Sequence, residues 1–370
     1  MYKIIKSEEK RRQKLNYISL LKFWAMILII KWHLFHWKKR KIDYGARMCE
    51  ILFISSGFLV GYNYYKRDMP ETFTNSFKYT YKHFRTFYPL EIINLAVILY
   101  FHKQKLNHKE IENLIFLNIL LLKNWSRYND LYKVFNPMNW FWMNLLFCYF
   151  FTPFLLGGTK KIKNSLIIFA LIALIRTKIE LYYRKSRDSI NILDINFHTG
   201  PGIRFMEFFL GMLMIPTFFK IKEFIDKINK IFIVKIVFTI IQLLLPIYIY
   251  YLMVKYNNIL FRCHFILIFC GFIFIFGFDY GYLSNIISMK LFQTIMSCQM
   301  EMYQIQITLN NLMRKFGLYN HLKFSSDLEL QFIMKVIVIF IFAFIYKKMF
   351  KEIFSKILDK IILIIRYIFK

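Results

Sequence analysis

A basic residue and a histidine lie eleven positions apart in one apolar segment, as Lys22 and His33 of YISLLKFWAMILIIKWH. Eleven helical steps of about 100° return to within about 20° of the same face and advance roughly 16 Å. One helix face would therefore carry a cation and an imidazole at two depths. Because imidazole titrates near neutral pH, it can take a proton from a hydroxyl group. The cation can hold a phosphate or a developing negative charge.

Each of these side chains also has a structural interpretation. The Lys22 stem can carry its ammonium to a membrane surface, and His33 can lie at the interface. His36, one turn beyond His33, is followed by Trp37 and Lys38 and is expected to be interfacial. No acidic third ligand follows the two histidines at the spacing of a metal motif, so we predict no metal site.

Ser56 lies in the second apolar segment, within Ser55-Ser56-Gly57-Phe58. Its hydroxyl group can form hydrogen bonds in a site, and the glycine allows close helix approach. Helix packing alone would also explain this pattern. No GxSxG motif accompanies these serines, so we do not expect a serine nucleophile.

Further polar candidates follow along the chain. Lys82 and Arg85 share a helix face and are suited to phosphates, or they form a positive cluster on the cytoplasmic side. Arg204 and Glu207 are one turn apart and form a candidate internal ion pair. The remaining candidates are Trp140 at the start of the fifth apolar segment, where aromatic residues often mark the membrane interface, and Tyr303 and Gln306 in a late one.

The composition identifies the class of protein that holds these residues. Of the 370 residues, 57% are hydrophobic and 20% charged, which is too apolar for a soluble protein. The formal net charge of +30 comes from basic clusters between apolar runs, which is typical of membrane loops rather than of nucleic-acid binding. The five cysteines form no CxxC pair and are expected to act as small hydrophobic residues.

Apolar runs of membrane-spanning type recur along the whole chain, and we predict an all-α, polytopic helical membrane protein. Both ends are basic, so both are expected in the cytoplasm, which requires an even number of spans. Ten is the predicted number, with 111–122, the weakest segment, re-entrant or interfacial. The eleven candidates are 15–35, 48–65, 87–101, 111–122, 138–157, 162–175, 202–219, 231–254, 259–278, 291–313 and 328–346.

Three regions are expected in the chain. Residues 1–14 form a basic cytoplasmic segment, residues 15–346 the transmembrane domain, and residues 347–370 a basic amphipathic tail. The longest polar stretch, 176–201, is expected to form a loop over the membrane.

The ordered set of motifs resembles the acyltransferase-3 family of integral membrane acyltransferases. The matching pieces are Lys22-x10-His33, CEILFISSGF, KHFRTFYPL, MNWFWMNLLFCYFFTP, IRFMEFFLGM and EMYQIQ, in family order from about residue 17 to residue 346. The chain is similar to the stand-alone type, which has no C-terminal esterase-like domain.

The resemblance implies O-acylation, most often acetylation, of a hydroxyl on a cell-surface or lipid-linked carbohydrate. The donor would be acetyl-CoA or another acyl-CoA from the cytoplasm, a substrate rather than a permanently bound cofactor. The location would be the bacterial inner membrane. His33 would be the catalytic base or acyl relay, and Lys22 the second catalytic residue. Residues expected to bind substrate or donor are Ser56, Lys82, Arg85, Trp140, Arg204, Glu207, Tyr303 and Gln306.

Two other functions remain open from the residues alone. A transporter or flippase of lipid-linked saccharides would show internal two-fold symmetry with broken helices, and no such repeat is visible. A glycosyltransferase with a polyprenyl-phosphate donor would need an acid in an early outer loop, where Asp43 is present. The expected partners are membrane lipids, acyl-CoA and a carbohydrate, and no nucleic acid.

Overall fold

The computed structural model describes residues 15–36, 44–67, 69–102, 108–119, 139–186, 200–228, 232–255, 259–317 and 328–368. These residues are almost all helical and none of them lies in a strand, which confirms the all-α prediction. The helices are α1 Asn16–His36, α2 Tyr44–Tyr64, α3 Phe73–His102, α4 His108–Ile119, α5 Asn139–Lys161, α6 Ser165–Ser186, α7 Pro201–Leu213, α8 Ile215–Ile228, α9 Phe232–Lys255, α10 Ile259–Gly277, α11 Leu283–Ser288, α12 Lys290–Met296, α13 Gln299–Lys315, α14 Leu328–Ile345 and α15 Lys351–Ile368.

Every predicted apolar segment overlaps one of these helices. Two segments are each divided in two, at Met214 between α7 and α8 and at Ser297 and Cys298 between α12 and α13. The loop expected at 176–201 is wrong in its first part, because α6 continues to Ser186. Arg176 and Glu180 extend this helix because they form ion pairs inside the bundle.

Four helical stretches of the described residues are long and apolar enough to cross a membrane. They are Asn139–Lys161, Pro201–Lys227, Phe232–Lys255 and Glu329–Ile364. Phe265–Gly277 is a shorter apolar helix. One side of α9 exposes large apolar residues, namely Ile240, Leu243, Leu244, Ile247 and Tyr251, as expected of a lipid-facing surface. The chain is therefore treated as an integral membrane protein, and ten spans stays a prediction.

Helices α2 and α7 pack closely against each other in the bundle. A β-carbon at Gly57 of α2 would overlap the carbonyl oxygen of Phe208, and one at Gly211 of α7 would overlap that of Ile54. The two glycines therefore allow the helix backbones to touch. This confirms the close approach predicted from the serine-glycine motif.

The C-terminal helix α15 is hydrogen-bonded to α3 at a backbone carbonyl that Pro89 leaves without its helical partner. Pro89 has no N–H, so the carbonyl of Arg85, four residues earlier, loses its helical hydrogen bond. The Ser355 hydroxyl of α15 donates to that carbonyl at 3.1 Å. A π-helical turn, Tyr346–Phe350, joins α15 to α14. The tail is thus a continuous helix held on α3.

Helix α15 exposes a row of apolar side chains. The outward face is apolar, with Ile353, Ile357, Ile361 and Ile364 exposed. The inward side carries Ser355, which bonds to α3, and Phe354, which packs against the core. An apolar outward face on a helix packed against the bundle suits contact with lipid.

Candidate active site

Lys22 is buried in the bundle between α1 and α2. Only 6% of the residue is exposed, and its Nζ atom donates a hydrogen bond to the Ser56 hydroxyl at 3.1 Å. Ser56 in turn donates to the Leu52 carbonyl at 2.6 Å, which fixes the direction of its oxygen. Two residues predicted separately from the sequence therefore meet in the fold. No carboxylate of the described residues lies within ion-pair distance of this ammonium group.

His33 lies near the other end of α1 and is half-buried. Its ring packs edge-on against Trp32, with the ring centroids 4.7 Å apart. Trp32 is held by α2, because a β-carbon at Gly45 would overlap the indole ring. About three helical turns, roughly 16 Å, separate Lys22 from His33 along the axis. The two side chains therefore lie at different levels of α1 and are not in contact.

Six charged side chains join α2, α6 and α7 in a buried network of three arginines and three glutamates. They are Arg47, Glu50, Arg176, Glu180, Arg204 and Glu207, all less than 5% exposed. The central guanidinium is that of Arg176, which pairs with Glu50 at 2.7 Å, with Glu207 at 2.9 Å and with Glu180.

The outer arginines complete this network. Arg47 pairs with Glu50 at 2.5 Å and with Glu180, and Arg204 pairs with Glu207 at 2.5 Å. The formal charges cancel, so the cluster can stay ionised away from water. Removing one partner of such a group costs about 3–5 kcal/mol, because an uncompensated charge is left buried.

Arg204 and Glu207 thus form the ion pair predicted from their spacing. The Arg204 guanidinium also lies over two aromatic rings, 5.6 Å from the Phe53 centroid and 5.5 Å from that of Trp140. Trp140 itself is buried in the bundle and is not exposed at its edge. The reason is that its ring packs on Phe53 and on this cation. Arg204 therefore links the ion network to an aromatic wall.

The late motif lies on α13, where every residue from Glu301 to Asn310 is buried. Tyr303 packs its ring on Phe141, with the centroids 4.7 Å apart. Gln306 donates from Nε2 to the Tyr303 carbonyl at 3.2 Å. Phe141 also packs on Trp140, at 5.9 Å between centroids. Tyr303 and Trp140 are therefore parts of one aromatic cluster in the core.

Lys82 and Arg85 lie on α3, beside the C-terminal helix. The Arg85 guanidinium, about a quarter exposed, faces the Asp359 carboxylate at 3.4 Å. Tyr81 donates to the same carboxylate at 2.6 Å. The Lys82 carbonyl accepts a hydrogen bond from Thr86 at 3.1 Å. The Asp359 carboxylate of the C-terminal helix thus pairs with Arg85, a side chain that the sequence predicts to bind phosphate.

The structure gathers the predicted residues into separate groups. Lys22 and Ser56 are in contact, as are Arg204, Glu207 and Trp140, while Arg85 is near the tail and His33 packs beside Trp32. Four charged residues of the buried network were not predicted: Arg47, Glu50, Arg176 and Glu180. Their signal was present in the sequence, because each pair has the helical spacing that drew attention to Arg204 and Glu207.

Metal ligands are not clustered within the described ranges, where no three His, Cys, Asp or Glu side chains lie together in a way that could hold an ion. The predicted site offers an imidazole at His33, a buried ammonium at Lys22 and the Ser56 hydroxyl. Such groups can move a proton and hold an anion.

Comparison with known proteins adds one match. A family model described as an acyltransferase domain, that of acyltransferase-3, matches residues 15–346, nearly the whole chain. No curated protein and no solved structure matches the sequence. The matched range runs from α1 to the end of α14 and includes all the residues discussed above except the tail. The chain therefore belongs to the acyltransferase-3 family of membrane acyltransferases.

Proposed function

We propose that this protein moves an acetyl group from acetyl-CoA to a hydroxyl group of a cell-surface or lipid-linked carbohydrate. The observation that carries the proposal is the buried Lys22 ammonium, which is bonded to Ser56 and has no carboxylate partner among the described residues. A buried cation of this kind favours an anionic ligand. His33 lies on the same helix and supplies a group that can accept a proton.

The depth of the two residues suggests how the donor would lie. The extended pantetheine arm of CoA spans a length comparable with the roughly 16 Å between Lys22 and His33. Lys22 would hold the phosphate end, and the thioester would reach His33. His33 would then take the proton of the acceptor hydroxyl as the hydroxyl oxygen attacks the thioester carbonyl. The carbon–sulfur bond would break, and the CoA thiolate would take the proton back from His33 and leave as the thiol.

The proposed topology puts Lys22 and His33 in the order that this donor placement needs. We place both termini in the cytoplasm, with ten spans in a bacterial inner membrane. The start of α1 then faces the cytoplasm, where acyl-CoA is available. Lys22 lies nearer to that side than His33, so the acyl group would move outward along α1.

The other residues have supporting roles in this proposal. Ser56 orients Lys22, and Lys82 and Arg85 hold phosphate at the cytoplasmic edge. Arg204 and Glu207 fix Trp140, and Tyr303 with Gln306 completes the wall of the site. The contacts of Ser56, Arg204, Tyr303 and Gln306 in the fold support their roles.

Replacing Lys22 tests the proposal at the residue that carries it. Lys22→Met should raise the KM for acetyl-CoA about tenfold or more, because the buried partner of a phosphate is lost. Lys22→Arg should keep most of the affinity. The measurement is release of free CoA thiol, dependent on added glycan, by the purified protein in lipid vesicles. Lys360→Met, an exposed lysine of α15, is the control. Unchanged kinetics in a folded Lys22→Met protein would contradict the proposal.

Removing the acid that faces Arg85 should have the opposite effect. Asp359→Asn should lower the KM for acetyl-CoA by about twofold to fivefold, since a partly exposed ion pair is worth no more than about 1 kcal/mol. Glu352→Gln, which removes an exposed acid paired with Lys356 on the same helix, should leave KM unchanged. An Asp359→Asn protein with an unchanged or higher KM would exclude Arg85 from donor binding.

A further inference from the structure

Helix α1, which carries the two predicted catalytic residues, begins without a capping residue of its own. The residue before Asn16 is Leu15, and leucine offers no side-chain oxygen to the first N–H groups of a helix. The Asp279 carboxylate takes this place, because it accepts hydrogen bonds from the N–H groups of Asn16 and Tyr17, each at 3.4 Å. The cap of α1 therefore comes from a residue 263 positions beyond Asn16 in the sequence.

The backbone at Asp279 is shaped for this contact. Asp279 follows α10 and has a φ of 58°, in the left-handed region, which aspartate and asparagine adopt more readily than most residues. The Ser284 hydroxyl of α11 donates to the same carboxylate at 2.9 Å and fixes its direction. Among the described residues no basic side chain lies within ion-pair distance of Asp279. Its negative charge is thus directed at the N-terminal end of α1, where it is favourable.

A second contact holds the same end of α1. Gln293 of α12 donates from Nε2 to the Asn16 side-chain oxygen at 2.8 Å and to the Ile287 carbonyl at 2.8 Å. Asp279 and Gln293 both lie between α10 and α13, so this segment holds the start of α1. Most side chains of α1 are apolar, and apolar burial is non-directional, whereas a hydrogen bond needs a defined distance and angle. The hydrogen bonds at the start of α1 therefore specify its position along the helix axis.

The contact of Lys22 depends on where α1 begins. Lys22 is six residues, about 9 Å, from Asn16 along the helix. Its ammonium group donates to the Ser56 hydroxyl of α2 at 3.1 Å. Displacement of a donor by about 0.5 Å from this distance already loses most of a hydrogen bond. The cap and the Lys22 contact are therefore coupled through less than two turns of helix.

The other end of α1 is held by different contacts. Lys31 pairs with Glu329 of α14 at 3.1 Å. Trp32 packs against Gly45 of α2, and the ring of His33 packs on Trp32. Loss of the cap should therefore displace the beginning of α1 more than the end that carries His33.

On the basis of the proposed function, we infer that Asp279 is a positioning residue, which holds α1 at the level where Lys22 meets Ser56. Asp279 acts through Lys22 and touches neither substrate. Because Lys22 holds the phosphate end of acetyl-CoA in the proposed function, loss of the Asp279 carboxylate should weaken donor binding. The chemical step at His33 should stay almost unchanged.

Two substitutions separate the carboxylate of Asp279 from its backbone. Asp279→Gly removes the carboxylate and keeps the left-handed conformation without strain, which alanine would not. Asp279→Asn keeps an acceptor oxygen and tolerates the same conformation. Asp226→Asn is the control, because it removes an acid that is bonded to Tyr280, the next residue after Asp279.

Steady-state kinetics and hydrogen exchange are measured on the full-length protein in lipid vesicles. Asp279→Gly should raise the KM for acetyl-CoA about threefold to tenfold, as expected from the loss of a helix cap, with kcat within about twofold of the wild type. Amide exchange in the peptides that cover Lys22 and Ser56 should become faster. Asp279→Asn should lie close to the wild type in both measurements, and Asp226→Asn should equal it.

A cap with a merely structural role would give a different result. Asp279→Gly would then have a lower kcat, because less of the protein is folded, with an unchanged KM, and this would overturn the inference. Faster exchange confined to Asn16 and Tyr17 would overturn it too, since the turn of Lys22 would not depend on the cap. A wild type without acetyl transfer would contradict the proposed function, while exchange at Lys22 and Ser56 would still decide the role of Asp279.

Discussion

Replacing His33 with alanine is expected to lower the rate of acyl transfer by about 10²- to 10⁴-fold, the usual contribution of a positioned general base. The acceptor hydroxyl would otherwise have to lose its proton to water, which is a weak base. The ring is positioned by Trp32 and, through it, by the Gly45 region of α2. The fold should survive, because the side chain is only half-buried.

The initial rate of CoA thiol release measures this effect, with acetyl-CoA and glycan at saturating levels. His36→Ala, one turn away on the same helix, is the matched control and should retain wild-type activity. His33→Gln should be as inactive as His33→Ala, since an amide cannot take up the proton. A His33→Ala protein within threefold of the wild type would assign the base to another residue.

Replacing Gly57 with alanine should prevent α2 and α7 from packing at their present distance. The new methyl group would overlap a backbone carbonyl oxygen, that of Phe208, which cannot rotate away as a side chain can. Overpacking usually costs about 1–3 kcal/mol, and overlap with rigid backbone places this variant at or above the upper limit. Gly211→Ala should behave similarly, because its β-carbon would overlap the Ile54 carbonyl.

Gly271→Ala is the matched control for this prediction. Gly271 is also helical, and a β-carbon there would meet no atom within 4 Å. Because alanine favours helix by up to about 1 kcal/mol over glycine, this variant should be as stable as the wild type or slightly more stable. The unfolding temperatures of Gly57→Ala, Gly211→Ala and Gly271→Ala are compared in detergent. Equal unfolding temperatures for Gly57→Ala and Gly271→Ala would show that the α2–α7 crossing is looser than described.

The positions of most helices could be predicted from the sequence, because a long apolar run indicates a helix. The close approach at Gly57 was also readable, since a glycine in an apolar helix has few other uses. The pairing of Lys22 with Ser56 was not readable. It joins residues 34 positions apart, and hydrophobic periodicity does not specify which helices become neighbours.

The buried ion network shows a second limit of prediction from the sequence. Arg176 and Glu180 come at the end of an apolar run, where charged residues normally mark a loop. Partners on α2 and α7 stabilise the buried charges, and those partners are distant in the sequence. The prediction of a loop at 176–201 is wrong for residues 176–186 for this reason, and residues 187–199 lie outside the described ranges.

The role of the tail also depends on tertiary contacts. The basic and apolar pattern after Lys347 predicts an amphipathic helix. It does not show that Ser355 would bind the carbonyl freed by Pro89, or that Asp359 would face Arg85. Those contacts link a segment outside the family match to a predicted donor-binding residue.

The central claim is that this chain forms an acyl ester on a carbohydrate hydroxyl with His33 as the base. The most direct measurement is the transfer of labelled acetyl from acetyl-CoA to surface glycan, in membranes that contain equal amounts of wild type, His33→Ala or His36→Ala. Mild base then releases any ester-bound label. The account predicts base-labile label on the glycan with wild type and His36→Ala, and almost none with His33→Ala. Equal label with all three proteins would contradict the role of His33 and the account built on it.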